Sequence, residues 1–195
     1  MIAIQEKGRW ITRAVGYLAI AALVFQVVHF VEHLGQLGYW LGHPAEAPWL
    51  TPWAAEGRDA LAIGGETALG NELLHLLGNL IFLAGLIALA ALCRRAGRTA
   101  DDFPDLRAAL VIQGFHVGEH VALTTTTAIY GNAIGLSTFL GLVSGPAMTS
   151  YRVWFHLLIN LIATWYAGRA LIRMIGAGLV VAGKPGPPAS DRAVT

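Results

Sequence analysis

Gln26-Val27-Val28-His29-Phe30-Val31-Glu32-His33 lies inside an apolar run from Ala14 to Gly42, and this stretch decides how the chain reads. The run is long enough to cross a bilayer core of about 30 Å as a helix. Yet it carries a carboxylate, two imidazoles and an amide on positions three and four apart, which share one helical face. Ionisable groups placed inside a membrane span mark function by default, because lipid cannot solvate them.

The same spelling returns 87 residues later as Gln113-Gly114-Phe115-His116-Val117-Gly118-Glu119-His120. A second pair of segments matches at an offset of 81: His75-Leu76-Leu77-Gly78-Asn79-Leu80 and His156-Leu157-Leu158-Ile159-Asn160-Leu161. Four polar identities in one pair and two in the other, in the same order, indicate a tandem duplication. Six of the seven histidines belong to the repeat. His43 has no counterpart and reads as a solvated loop residue.

Hydropathy places four spans, at about Thr12–Leu41, Leu69–Leu92, Leu106–Ala128 and Val153–Met174. The expected fold is an all-α integral membrane protein, a four-helix bundle of four transmembrane helices from duplication of a helical hairpin. The whole chain, 1–195, forms one membrane domain, with repeat 1 over about 12–92 and repeat 2 over about 106–174. Residues 130–146, apolar but rich in Gly and Ser, read as a re-entrant segment, an interfacial helix or a fifth span. Residues 183–195, with three prolines, read as a disordered tail. The two halves share one membrane orientation, so their pseudo-two-fold axis runs along the membrane normal.

Composition agrees. The chain is 55% hydrophobic and 13% charged, with a mean hydropathy of +0.58, against about 25% charged residues in soluble domains. A net charge of +1 offers no basic face for nucleic acid. Cys93 is the single cysteine, which excludes an internal disulfide and thiolate clusters, so any metal site uses nitrogen and oxygen ligands. A cleaved signal peptide is a poor reading of Lys7, Arg9 and Arg13 before the first run, because that run far exceeds a signal core of about 7–15 residues.

Eleven Lys/Arg residues fall on one side of the predicted spans and only Arg58 and Arg152 on the other. The positive-inside rule then puts both termini in the cytoplasm and favours a bacterial inner membrane. Tyr39, Trp40, Trp49, Trp53, Tyr151 and Trp154 form an aromatic belt at the outer end.

The expected centre is a layer of the bundle open to the outer face. His29, His33, His75, His116, His120 and His156 are the candidate metal ligands, with Glu32, Glu119 and Glu72 as carboxylate ligands. Inward His and carboxylate groups are how helix bundles commonly assemble metal sites. Glu72-Leu73-Leu74-His75 adds the Glu-x-x-His spacing, although its repeat counterpart is Val153. Glu32 and Glu119 are the candidate acid–base residues, or else hold histidine tautomers. Gln26, Gln113, Asn79 and Asn160 are candidates to orient the ligand imidazoles around the cofactor, or to bond between helices.

His-x-x-Glu-His, as in His29 to His33, resembles the motif of the inverted zinc proteases. Its duplication and its place inside membrane spans set this chain apart from them. The clustered histidines also resemble those of membrane fatty-acid hydroxylases and desaturases, but adjacent His pairs near cytoplasmic helix ends are missing here.

The expected function is a metal-dependent membrane oxidoreductase, with Fe or Cu favoured over Zn and redox or oxygen-dependent chemistry. Metal-activated hydrolysis is the weaker enzymatic reading. The alternatives are a b-type haem cytochrome linked to quinone, and a non-enzymatic metal or proton carrier or accessory subunit of a larger membrane complex. The expected surroundings are the lipid bilayer, with quinone or other membrane subunits as partners.

Overall fold

A computed structural model describes residues 2–44, 46, 49–142 and 144–180, with side chains from residue 10 onward. The expected tail at 183–195, Lys184 and Arg192, and the side chains of Lys7 and Arg9 lie outside the described residues. Those described contain helices and no strand. Five α-helices occur in order: α1 (Ile2–Gly42), α2 (Pro52–Ala60), α3 (Thr67–Arg95), α4 (Pro104–Tyr130) and α5 (Gly145–Gly176).

The boundaries follow local chemistry. α1 runs until Gly42-His43-Pro44, where the residue before proline is pushed out of the helical region. Thr51 caps α2 by accepting a hydrogen bond from the Ala54 amide at 3.4 Å, and Pro52 follows as its first residue. Pro104 similarly starts α4, which stops at Gly131 in the left-handed conformation (φ 71°).

The four long helices pack in a ring. α3 and α5 each contact both α1 and α4. At one end, near Cys93, the interior is apolar: Ala19, Leu23, Phe82, Leu86, Leu89, Leu106, Ala163, Ala167 and Met174 form a buried cluster. α1 and α3 approach so closely there that a Cβ on Gly85 would fall 2.5 Å from that of Ala22. The opposite end, where α2 lies against α3, is polar inside.

Polarity is inverted relative to a soluble protein. Gln26, His33, Asn79, Gln113, His116, His120 and Asn160 are buried, whereas Val24, Val28, Val31, Leu77, Ile87, Val111, Phe115, Val121, Leu158 and Ile162 are exposed. An apolar belt of that extent matches lipid as the surrounding solvent. Three helical stretches are long and apolar enough to cross a membrane: Trp10–Gly42, Thr67–Arg95 and Gly145–Gly176. α4 has comparable length, but Asp105, Arg107, Glu119 and the Thr124–Thr127 run lower its apolar content.

Among the described residues of 131–144 there is no fifth long helix. They form an irregular connection with a short 3₁₀ stretch, Leu136–Gly141, packed on α5. Phe139 and Leu140 adopt left-handed backbone there (φ 53° and 55°), which ends regular helix. α2 was not anticipated, although Thr51-Pro52 is a start signal visible in the sequence.

Candidate metal centre

Helix phase brings all six repeat histidines together at the polar end. α1 carries His29 and His33 one turn apart, α4 carries His116 and His120, and α3 and α5 present His75 and His156 within three turns of their first residues. Ring centres are 4.6 Å apart for His29–His33, 4.9 Å for His116–His120 and 5.1 Å for His120–His156. His75 joins both sides, 5.9 Å from His33 and 5.6 Å from His120. His116, His120 and His156 each offer a ring nitrogen within 4.8 Å of the other two.

Several tautomers are fixed by neighbouring acceptors. His75 Nδ1 lies 2.8 Å from the Asn71 carbonyl and His156 Nδ1 lies 2.9 Å from the Arg152 carbonyl. A carbonyl only accepts, so each Nδ1 carries the proton and each Nε2 a lone pair. His33 does the same toward Gln36 Oε1 at 3.0 Å, and its Nε2 comes within 3.2 Å of His29 Nε2. Both ring nitrogens of His116 and His120, and Nε2 of His156, are buried without a hydrogen-bond partner. Leaving a buried polar atom unpaired costs about 1–3 kcal/mol. The three rings that carry these five atoms offer one lone pair each, a three-nitrogen donor set suited to a metal ion.

One turn toward the Cys93 end lies a layer of amides. Gln113 Nε2 donates to Asn79 Oδ1 (2.8 Å), and Gln26 Nε2 donates to Asn160 Oδ1 (2.9 Å). Each asparagine in turn donates to the carbonyl of the histidine four residues before it, Asn79 to His75 (2.9 Å) and Asn160 to His156 (2.8 Å). These amides therefore support the histidine backbone and do not touch the ring nitrogens. They also tie each expected repeat to the other, since Gln26 and Asn160 belong to different halves.

Glu32 and Glu119, expected as ligands or acid–base groups, accept hydrogen bonds from the connecting segments, and Glu32 Oε2 is buried without a partner. Glu119 accepts the amides of Leu136 (3.0 Å) and Ser137 (2.8 Å), and Glu32 accepts that of Thr51 (2.9 Å). The reason is local. Backbone N–H groups folded into the bundle mouth need acceptors, and these carboxylates are the nearest. Gly135 leaves room for the contact, since a Cβ there would come 2.6 Å from Glu119 Oε1.

Glu72 is the carboxylate that reaches the histidines. Its Oε2 lies 3.9 Å from His120 Nδ1, and its Oε1 accepts from Arg152 at 2.5 Å. Arg152 and Gln36 were not singled out in the sequence. Gln36 shows its role only as the residue three beyond His33, and Arg152 as an isolated outer cation. His43 stacks on Tyr39, away from the cluster.

Above the histidines a cavity of about 720 Å³ opens at the α2 end. His33, His75 and His156 line its floor, and Arg58, Arg152 and Thr149 its walls. Arg58 pairs with Asp59 at 2.8 Å, and this hydrogen bond holds the Asp59 carboxyl below its ordinary pKa. The two cations on the minority side of the chain thus both border one opening.

A family of unknown function (DUF6008) matches residues 2–178. The chain belongs to that family. No curated protein and no solved structure matches it. The match takes in all six clustered histidines, both amide pairs and the cavity lining, so the centre lies wholly within the family region.

Proposed function

We propose that this chain is a membrane-embedded metalloprotein with a mono- or dinuclear histidine-rich site, serving redox or oxygen-dependent chemistry. The observation that carries the reading is a layer of six imidazoles, four of them buried, in which His116, His120 and His156 hold buried ring nitrogens without a hydrogen-bond partner. The proposed scaffold is a four-helix bundle of four membrane-spanning helices, built from two tandem hairpins. α4 qualifies as the fourth span because its polar residues Gln113, His116, Glu119 and His120 are buried, while Val111, Phe115 and Val121 face outward. The matching Gln–Asn–His chains in both halves support the duplication. The α2 end faces outward and the chain termini lie in the cytoplasm, in a bacterial inner membrane by the Lys/Arg bias.

A predominantly imidazole donor set favours Fe or Cu over harder cations. The six histidines would supply the ligands, Glu72 would stand beside them, and the cavity would admit a small reactant from the outer side. Glu119 spends both carboxylate oxygens on loop amides, which weakens the hydrolytic reading with it as general base, whereas Glu32 accepts one amide through Oε1 and keeps Oε2 without a partner. Each of the six imidazoles has another ring centre within 5.6 Å, a close clustering that favours a bare ion over haem b. Membrane subunits or quinone remain partners for electron delivery under this reading.

Elemental analysis and an optical spectrum of the purified protein provide the test. The expected result is bound Fe or Cu without a Soret band, with metal lost on replacing His29 and His116 by alanine. Metal below about one ion per two chains, indifferent to those substitutions, would end the proposal; a Soret band would replace it with the haem reading.

A further inference from the structure

We infer that the layer holds two metal ions, one in each hairpin's own triad: His29, His33 and His75 for the first, and His116, His120 and His156 for the second. This rests on the metal-binding reading above and adds the number of ions and the division of their ligands.

The second triad comes entirely from α4 and α5. Its ring centres are 4.9, 5.1 and 5.7 Å apart. Three imidazoles on one tetrahedral ion, bound at about 2.0–2.1 Å, put their ring centres about 5 Å apart. The first triad comes from α1 and α3. His29 Nε2 and His33 Nε2 stand 3.2 Å apart, within the range of about 3.0–3.4 Å for two nitrogens sharing an ion at that bond length. His75 lies 5.9 Å from each of their rings, wider than the spacings of the second triad and no nearer than its 5.6 Å to His120. Its place in the first triad follows from the hairpin repeat, in which His75 matches His156, and from its Nε2 lone pair, free of the Asn71 contact.

One ion for all six histidines does not fit. Six imidazoles around a single octahedral ion would bring neighbouring ring centres to about 4.6 Å, at a bond length of about 2.1 Å. Contacts between the triads are 5.6 Å for His75–His120, 6.0 Å for His33–His156 and 6.2 Å for His75–His156. Two centres side by side, one on the His29–His33 pair and one in the His116–His120–His156 triad, with His75 at their boundary, match the two tight groupings of rings. Paired metal sites have ions about 3.5–4 Å apart.

Three nitrogens leave each ion an open position. Rings of both triads, His33 and His75 of the first and His156 of the second, border the cavity. A small ligand entering there reaches both ions. The ions are not equivalent, since Glu72 approaches His120 in the second triad while the matching position on α5 is Val153.

The test loads the full-length protein in detergent with Cu(II) alone, removes loose ion, and measures copper per chain together with spin intensity by electron paramagnetic resonance. The expected content is two ions per chain, with spin intensity well below the copper content because the ions couple. H29Q/H33Q and H116Q/H120Q should each halve the content to one ion and restore full spin intensity. One ion per wild-type chain overturns the two-centre arrangement while leaving metal binding intact. No bound copper in the wild type, repeated with Fe(II), overturns the metal-binding reading itself. The wild-type ratio decides even if a variant fails to fold.

Discussion

Glu119 shows how a motif residue can be recognised while its contacts stay hidden. The sequence marks it as a costly carboxylate in a span, yet its two oxygens accept the Leu136 and Ser137 amides. Replacing Glu119 with leucine should leave both amides without an acceptor, at about 1–3 kcal/mol each. Hydrogen exchange should then speed up through residues 131–144 while metal content stays at the wild-type level. Loss of metal with an unchanged loop would instead make Glu119 a ligand. Gly135→Ala should reproduce the loop effect, because the added Cβ enters the space of the carboxylate. The histidines themselves were legible from spacing alone, since His-x-x-x-His on a helix places both rings on one face. Their tautomers were not, because the acceptors for His75 and His156 are backbone carbonyls, which no sequence pattern advertises.

Between helices, the amide pairs make a quantitative claim. Gln113 with Asn79, and Gln26 with Asn160, should each show favourable coupling in a double-mutant cycle with leucine, measured by unfolding in detergent. Buried hydrogen bonds between membrane helices contribute about 0.6 kcal/mol on average and about 1.7 at most. Zero coupling in both cycles would show that the amides merely fill space. Spacing in the sequence placed these residues on inward faces, and the choice between touching imidazoles and bridging helices needed the positions of neighbouring helices. α1, α3 and α5 were readable from their long apolar stretches, and α4 from its Pro104 start, its Gly131 stop and the repeated motif between them. Residues 131–144 were not, since Leu136–Gly141 is shaped by its contacts to Glu119 and α5 and has no strong local preference of its own.

For the molecule as a whole, the crossing of α4 is the decisive issue, because α4 alone among the long helices lacks a strongly apolar stretch. Asn132 and Asp101 flank it and are exposed, while Cys93 is buried. A membrane-impermeant maleimide should label Asn132→Cys in intact cells and Asp101→Cys only after permeabilisation. Labelling of both from one side would remove α4 from the set of spans. The charge asymmetry that predicts this orientation was fully available in the sequence. The cavity was not, because its walls come from α2, α3, α5 and the 131–144 connection at once.

The crossed amide pairs also impose an order on assembly. Gln26 waits for Asn160, 134 residues further along, and Asn79 waits for Gln113. A chain emerging from the ribosome with α1 and α3 alone holds Gln26 without its Asn160 acceptor and Asn79 with its Oδ1 unanswered. The first hairpin is therefore an unfinished piece, kept loose until its sequel arrives. The last helix to be synthesised completes the polar interior begun by the first.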